Sequence, residues 1–162
     1  MKKVYYSWKD VQGACLEIAR QINTGDWRPD YIVGITRGGL VPAVLLSQYL
    51  GIPMKSLDVS LRDGGDTVSN CGMADDAYEG KKILVVDDIN DQGSTIAWIK
   101  KDWRDICHPS AIRWDTTFHY NVRFATLTSN LASKEIVDYS VWEVNKAEED
   151  CWLVYPWEDF WL

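Results

Sequence analysis

The sequence predicts a single α/β domain, a central and mainly parallel sheet with helices on both faces, and three observations carry that expectation. The first is the stretch 83–95, I-L-V-V-D-D-I-N-D-Q-G-S-T. It opens as an unbroken apolar run from Ile83 to Val86, the pattern of a strand buried on both faces of a parallel sheet. It then turns acidic at Asp87, Asp88 and Asp91 and bends at Gly93. Ser94 and Thr95 supply hydroxyls and an N-cap to a helical pattern over 96–104. The second is a recurrence of the same order upstream: a strand over 31–35, a turn at Gly38 and Gly39, and an apolar helix over 43–50 closed by Gly51. The third is size and composition. A chain of 162 residues fits one domain with a real core, and 46% hydrophobic with 25% charged residues is ordinary for a soluble globular protein.

Charge and composition narrow the function classes. A formal charge of −7 argues against non-specific nucleic-acid binding. It does not exclude an anionic substrate neutralised locally by magnesium and backbone N–H groups. The first ten residues contain no apolar leader core, and nowhere do 18 apolar residues run together, so a cytoplasmic protein without membrane attachment is expected. Cys15, Cys71, Cys107 and Cys151 are widely spaced and form no C-x-x-C pair; free thiols in a reducing compartment are the better reading. Cys107 and His108 are adjacent, which is poor geometry for one shared metal. Nine tryptophans stand out, several of them near the C-terminus.

In chain order, Ser7 and Asp10 have the spacing of a capping box. Val11, Ala14, Cys15, Ile18 and Ile22 then make a helical stripe for burial against a sheet, ended by residues 23–26. The strand over 31–35 empties into Thr36, Arg37, Gly38 and Gly39. Two glycines allow close backbone approach to an anion and Arg37 adds charge, but on these residues alone a structural turn serves as well. Pro42 suits a first helical turn. A strand over 55–61 follows. Residues 61–81 hold four glycines and little periodicity, which reads as a long loop or loose hairpin, either a lid or an idle surface segment.

After 83–86 the chain opens onto a helix N-terminus, making a nest of N–H groups suited to phosphate. Three acids beside it would repel a bare phosphate, so the ligand should bring ribose hydroxyls, a magnesium ion or a developing cationic sugar carbon. Residues 107–121 have no clear assignment, and His108 and His119 read as surface or packing histidines. Strands are expected over 122–128 and 137–144, the first leaving residues 129–134 on the ligand side, with a polar turn over 145–150. The tail 151–162 is aromatic-rich, fit either for packing or for stacking on a flat base.

Residues 83–95 resemble the phosphoribosyl-pyrophosphate (PRPP) motif of the type I phosphoribosyltransferases, with Gln92 where threonine is usual. Thr36-Arg-Gly-Gly-Leu-Val-Pro42 resembles the pyrophosphate loop of the 6-oxopurine enzymes. Asp150-Cys-Trp-Leu-Val-Tyr-Pro-Trp-Glu158 resembles the hood of bacterial xanthine-guanine phosphoribosyltransferases and their archaeal relatives. The resemblance implies the type I fold over 1–162, with a flexible loop over about 61–81 that begins near Ser60 and a small C-terminal hood over about 129–162. It implies that Asp87 and Asp88 hold the ribose, Asp88 a metal, and Asp91 the region of the reacting carbon and purine N7. Gln92, Gly93, Ser94 and Thr95 would grip the 5′-phosphate, and Thr36, Arg37, Gly38 and Gly39 the pyrophosphate. Trp152 would stack on the base and the Leu153 backbone would face its 2-position edge. A strained peptide at Thr36–Arg37, with cis as one form, is implied as well.

One departure bears on specificity. Relatives carry a lysine and a proline after the late strand, the lysine donating to the purine 6-oxo group; here Asn130 and Leu131 stand there. An asparagine amide can donate to a 6-oxo group or accept from a 6-amino group, and Lys134 is the nearest replacement along the loop. The implied activity is a magnesium-dependent purine phosphoribosyltransferase. It would make a nucleoside 5′-monophosphate and pyrophosphate from PRPP and guanine, xanthine or hypoxanthine in purine salvage, as a homo-dimer or homo-tetramer. The alternatives are another base, adenine or a pyrimidine, and a non-catalytic PRPP-binding regulator. A nucleotide-binding domain of another kind is disfavoured, since neither G-x-x-x-x-G-K-[ST] nor G-x-G-x-x-G occurs.

Overall fold

A computed structural model describes residues 1–59 and 67–159. Seven strands are assigned: β1 (Lys2–Tyr5), β2 (Tyr31–Thr36), β3 (Met54–Asp58), β4 (Ile83–Asn90), β5 (Val122–Asn130), β6 (Trp142–Val144) and β7 (Cys151–Val154). The helices are α1 (Trp8–Thr24), α2 (Leu40–Leu50), α3 (Thr67–Tyr78), α4 (Ser94–Ile106) and the single turn α5 (Pro156–Asp159). The main sheet has the order β3-β2-β4-β5-β6 and every pair in it is parallel. Because β2 and β4 are parallel neighbours, with Gly34 opposite Val86, the loops leaving both strands emerge at the same sheet edge. That edge is where ligands bind in open α/β sheets.

The two faces of the sheet carry separate cores. Ile32, Leu84, Val86, Ala125 and Leu127 pack with α1 and α2, whose Val11, Ala14, Ile18, Ile22, Ala43 and Leu46 are buried. Val33, Ile35, Ile83, Val85, Val122 and Phe124 pack on the other face against α3, α4 and Trp114. Alternate residues of one apolar strand thus fill two cores, which is why 83–86 contains no polar position. The capping box is present: Ser7 Oγ accepts from Asp10 N at 3.0 Å and Asp10 Oδ2 from Ser7 N at 2.8 Å. Helix α4 buries Ile96, Ile99 and Trp103, one face at helical spacing; truncating a tryptophan buried like Trp103 costs about 3–5 kcal/mol.

Several boundaries differ from the sequence expectation. Strand β4 does not stop at the acids but runs on to Asn90, because Ile89 and Asn90 continue to pair with Thr128 and Ser129 on β5. The N-cap of α4 is Gly93 at φ 88°, a left-handed position that favours glycine, and no side chain caps the helix. Ser94 and Thr95 are therefore inside the first turn and do not cap it. Most of the expected 61–81 loop is helix α3, since Met73, Ala74 and Ala77 share a face and bury against the second core. Ser60 and the rest of 60–66 lie outside the described residues. In 107–121 the chain makes a 3-10 turn, Ile112–Thr116, which seats Trp114 in the core with its Nε1 donating to the Cys107 carbonyl at 2.8 Å. The expected strand over 137–144 pairs continuously only at Trp142–Val144, with one isolated bridge at Tyr139.

A second sheet, absent from the sequence expectation, joins the two ends of the chain: β1 pairs in parallel with β7, Lys3 opposite Trp152. The hood therefore includes the N-terminal strand. Four rings fasten it to the main body. Trp142 stacks on Tyr6 at 4.1 Å between centroids, Tyr6 on Tyr155 at 5.5 Å, and Tyr155 on Trp157 at 4.9 Å. Much of the tryptophan surplus is thus packing. Among the described residues no helix is long and apolar enough to cross a membrane.

Candidate active site

The site is assembled from three loops at the C-terminal edge of the main sheet. After β2, the peptide Thr36–Arg37 is cis, as the resemblance implied, and Gly38 and Gly39 follow. Gly39 is sterically required, and a side chain at Gly38 would force the Asp88 carboxylate to move. A Cβ on Gly38 would overlap the Asp88 carboxylate, and one on Gly39 would overlap the carbonyl of Val86 and the Cα of Asp87. The loop thus lies directly against the acids, with Arg37 exposed beside them. The Thr36 hydroxyl donates to Asp58 Oδ1 at 3.0 Å, bringing in a carboxylate from the end of β3 that no sequence motif marked.

Asp87 and Asp88 are consecutive on β4 and half-buried. Asp87 Oδ1 accepts from Asp88 N at 2.9 Å, and Asp88 Oδ1 from Ile89 N at 2.8 Å. Among the described residues neither carboxylate has a cationic partner. Burial pushes the Asp87 carboxyl well above its ordinary range, and the neighbouring charge of Asp88 adds to the rise. Burial also raises Asp88, partly offset by its hydrogen bonds. A divalent cation suits this pair: two oxygen donors short of positive charge, of the kind magnesium takes from protein while substrate oxygens and water complete its shell.

Beyond the acids, Gly93 turns the chain into α4. The first bond of the helix runs from Ala97 N to the Gly93 carbonyl, which leaves the amides of Ser94, Thr95 and Ile96 without an intrahelical acceptor. They face a cavity of about 270 Å³ lined by Asp87, Asp88, Asp91, Gln92, Ser94 and Thr95 among others. With the helix dipole this is an anion site. The turn is braced from outside by residues 133–135. Lys134 N donates to the Gln92 carbonyl at 3.3 Å, Asn90 Nδ2 to the Glu135 carbonyl at 2.8 Å, and Lys100 pairs with Glu135 at 2.7 Å.

A second cleft, of about 510 Å³, opens beside the first and shares Asp91, Gln92 and Ser94 with it. Its far wall is Trp152, 53% exposed because β7 alternates its side chains and this one faces outward. Leu153 points the other way into the core, and the wall beside Trp152 is made by Asp150 and Cys151. Asn130 reaches the cleft but both ends of its amide are engaged. Nδ2 donates to the Asp91 carbonyl at 2.8 Å and lies 3.3 Å from Asp91 Oδ1, while Oδ1 accepts from the amides of Ala132 and Lys146. Lys146, which no motif singled out, places Nζ 3.1 Å from Asp91 Oδ2 and 6.0 Å from the centre of the Trp152 ring. The Tyr155 hydroxyl lies 3.1 Å from the Asp88 carbonyl and 2.9 Å from Thr128 Oγ1. The two histidines stay out of the site: His108 is exposed and stacked on Tyr78, and His119 pairs with Asp138 at 3.1 Å.

The whole chain is similar in sequence and fold to known proteins. The hypoxanthine-guanine phosphoribosyltransferase of Schizosaccharomyces pombe is 28% identical over 187 aligned positions, covering 96% of this chain and 89% of that protein. The xanthine-guanine phosphoribosyltransferase of Cereibacter sphaeroides is 27% identical, covering 97% and 87%. The crystal structure of a purine phosphoribosyltransferase from Pyrococcus horikoshii superposes with a TM-score of 0.72 at 29% identity, over 99% of this chain and 96% of that one. A Helicobacter pylori xanthine-guanine-hypoxanthine phosphoribosyltransferase shares the fold at the same TM-score and 19% identity, over 98% and 95% of the two chains. The model of the phosphoribosyl transferase domain family matches residues 3–158, and the chain belongs to that family.

Proposed function

We propose that the chain transfers the phosphoribosyl group of PRPP to a 6-oxopurine, guanine, xanthine or hypoxanthine, in cytoplasmic purine salvage. The observation that carries this reading is the position of Asp87 and Asp88 between two anion cradles, the glycine loop after β2 and the N-terminus of α4. A molecule with a phosphate at one end, a pyrophosphate at the other and a diol between them matches that order. The purine acceptor is supported by the acceptors for which the relatives are named and by an exposed tryptophan facing the second cleft.

In this reading the amides of Ser94, Thr95 and the Gln92–Gly93 turn hold the 5′-phosphate, Thr36, Arg37, Gly38 and Gly39 hold the pyrophosphate, and Asp87 and Asp88 accept from the ribose hydroxyls. Asp88 would hold part of a magnesium ion's shell, and that ion would neutralise charge on the leaving pyrophosphate. As the bond from the anomeric carbon to pyrophosphate breaks, positive charge develops on the sugar, and the carboxylates are placed to stabilise it. The purine N9 forms the new bond, its ring lying over Trp152. The proton on N7 passes to Asp91, the carboxylate shared by both clefts. A homo-dimer or homo-tetramer belongs to the same proposal.

The test is release of pyrophosphate from PRPP and Mg²⁺ across a panel of bases. Turnover with guanine, xanthine or hypoxanthine is expected. Turnover confined to adenine or a pyrimidine would overturn the acceptor, and PRPP binding with no product from any base would favour a regulator instead.

A further inference from the structure

In the second cleft a cation and a carboxylate stand side by side. Lys146 Nζ lies 3.1 Å from Asp91 Oδ2, and the lysine side chain is only 20% exposed. Its backbone is fixed as well, since Lys146 N donates to Asn130 Oδ1 at 3.0 Å. Asn130 in turn is 6% exposed and spends its two N–H donors on Asp91. It has no free donor to offer a ligand, so it acts as a strut that sets the Lys146–Asp91 pair. Lys134 also lines the cleft, but its backbone braces the phosphate turn and the residue is exposed.

We infer that Lys146, from the connection between β6 and β7, is the residue that selects the base, by donating to the 6-oxo group while Asp91 takes the neighbouring N7 proton. The inference rests on the phosphoribosyl-transfer reading above. On one edge of a 6-oxopurine, O6 and N7 lie next to each other. With hydrogen on N7, that edge presents an acceptor beside a donor. Lys146 and Asp91 present the complement, an ammonium with three donors and no acceptor beside an acceptor-only carboxylate. A base stacked on Trp152 meets both, because Lys146 already lies over that ring's side of the cleft. A 6-amino group would set donor against donor and leave the ammonium unpaired in a half-buried place, which is the costly kind of mismatch.

The experiment compares kcat/KM for hypoxanthine and adenine, with PRPP and Mg²⁺, in wild type, Lys146→Met, Lys146→Arg and Lys134→Met. Lys146→Met keeps the length and removes every donor. It is expected to lower the preference for hypoxanthine roughly 10- to 100-fold, mostly through KM for the base, while KM for PRPP changes less than about threefold. Lys146→Arg should recover part of the preference. A preference unchanged in Lys146→Met overturns the inference, as does a larger loss in Lys134→Met, with the phosphoribosyl-transfer reading intact in both cases. A wild-type protein that turns over no purine removes that reading, and the assignment of Lys146 with it.

Discussion

The two halves of the site are built in different ways. The phosphoribosyl half comes from two short segments, 36–39 and 87–95, each continuous in sequence and each leaving a strand of the same parallel sheet. Its acids have no cationic partner among the described residues, and burial holds both Asp87 and Asp88 above the ordinary carboxylate range. The base half is convergent. Asp91, Asn130, Lys146 and Trp152 arrive from four separate places, and the polar groups of the first three satisfy one another at 2.8 to 3.3 Å. The contrast teaches a division of labour. One half stores unmet charge for a substrate to complete, and the other is pre-set by its own hydrogen bonds, so that only a base matching the pattern displaces them well.

The largest expected effect falls on the residue the halves share. Asp91→Asn should lower kcat about 100-fold or more while PRPP affinity stays within a few-fold, read by single-turnover kinetics and calorimetry; an unchanged rate would refute its role with N7. Asn130→Ala separates the halves more sharply. Removing the strut leaves the Asp91 carbonyl and the Lys146 amide short of a partner, which costs about 1–3 kcal/mol in denaturant unfolding. It should raise KM for the base far more than KM for PRPP. Equal effects on the two would break the division.

A third expectation concerns pH. In the folded chain Asp87 and Asp88 hold protons at pH values where the unfolded chain has lost them, so folding takes up protons. Their contribution to stability is present in full below the ordinary value of 3.8 and falls as pH rises through the raised folded values. Thermal denaturation in EDTA without substrate should therefore show wild type losing more stability than Asp88→Asn as pH climbs from 4 upward. The variant should melt a few degrees higher at pH 7, though inactive. A steeper loss in the variant would mean the carboxylates are not under this stress. The smallest effect is at Tyr155→Phe, which removes the hydroxyl beneath the Asp88 carbonyl; a loss of about 1 kcal/mol is expected, with base preference unmoved.

The same contrast explains what could be read from the sequence. The phosphoribosyl half is legible because its chemistry is local: apolar run, acids, glycine and helix start fall within 83–95, and the glycines at 39 and 93 are needed for steric reasons that sequence order already suggests. Even there the sequence pattern points to the Ser94 and Thr95 hydroxyls as the cap and not to Gly93, because the position of the first helical bond depends on how far β4 pairs with β5. Lys146 was illegible. It sits in a polar acidic turn and acquires meaning only by folding back over Asn130, 16 residues earlier. Composition alone does not separate Trp152 from Trp157, and only the resemblance singles out Trp152; in the fold one is exposed at the cleft and the other is stacked on Tyr155, through a β1–β7 pairing that joins opposite ends of the chain. Helix α3 is hidden by its glycine and acids; among its described side chains Met73, Ala74 and Ala77 are the buried ones, with Tyr78 partly buried beside them.

Titrating PRPP with Mg²⁺ into base-free wild type and Asp88→Asn asks whether the acids between the two cradles hold the diol of a sugar that carries a phosphate at one end and a pyrophosphate at the other. Saturable one-to-one binding to wild type, weakened about tenfold or more in the variant, is the predicted result. Absence of binding to a folded wild-type chain, or equal affinity in the two, would contradict it.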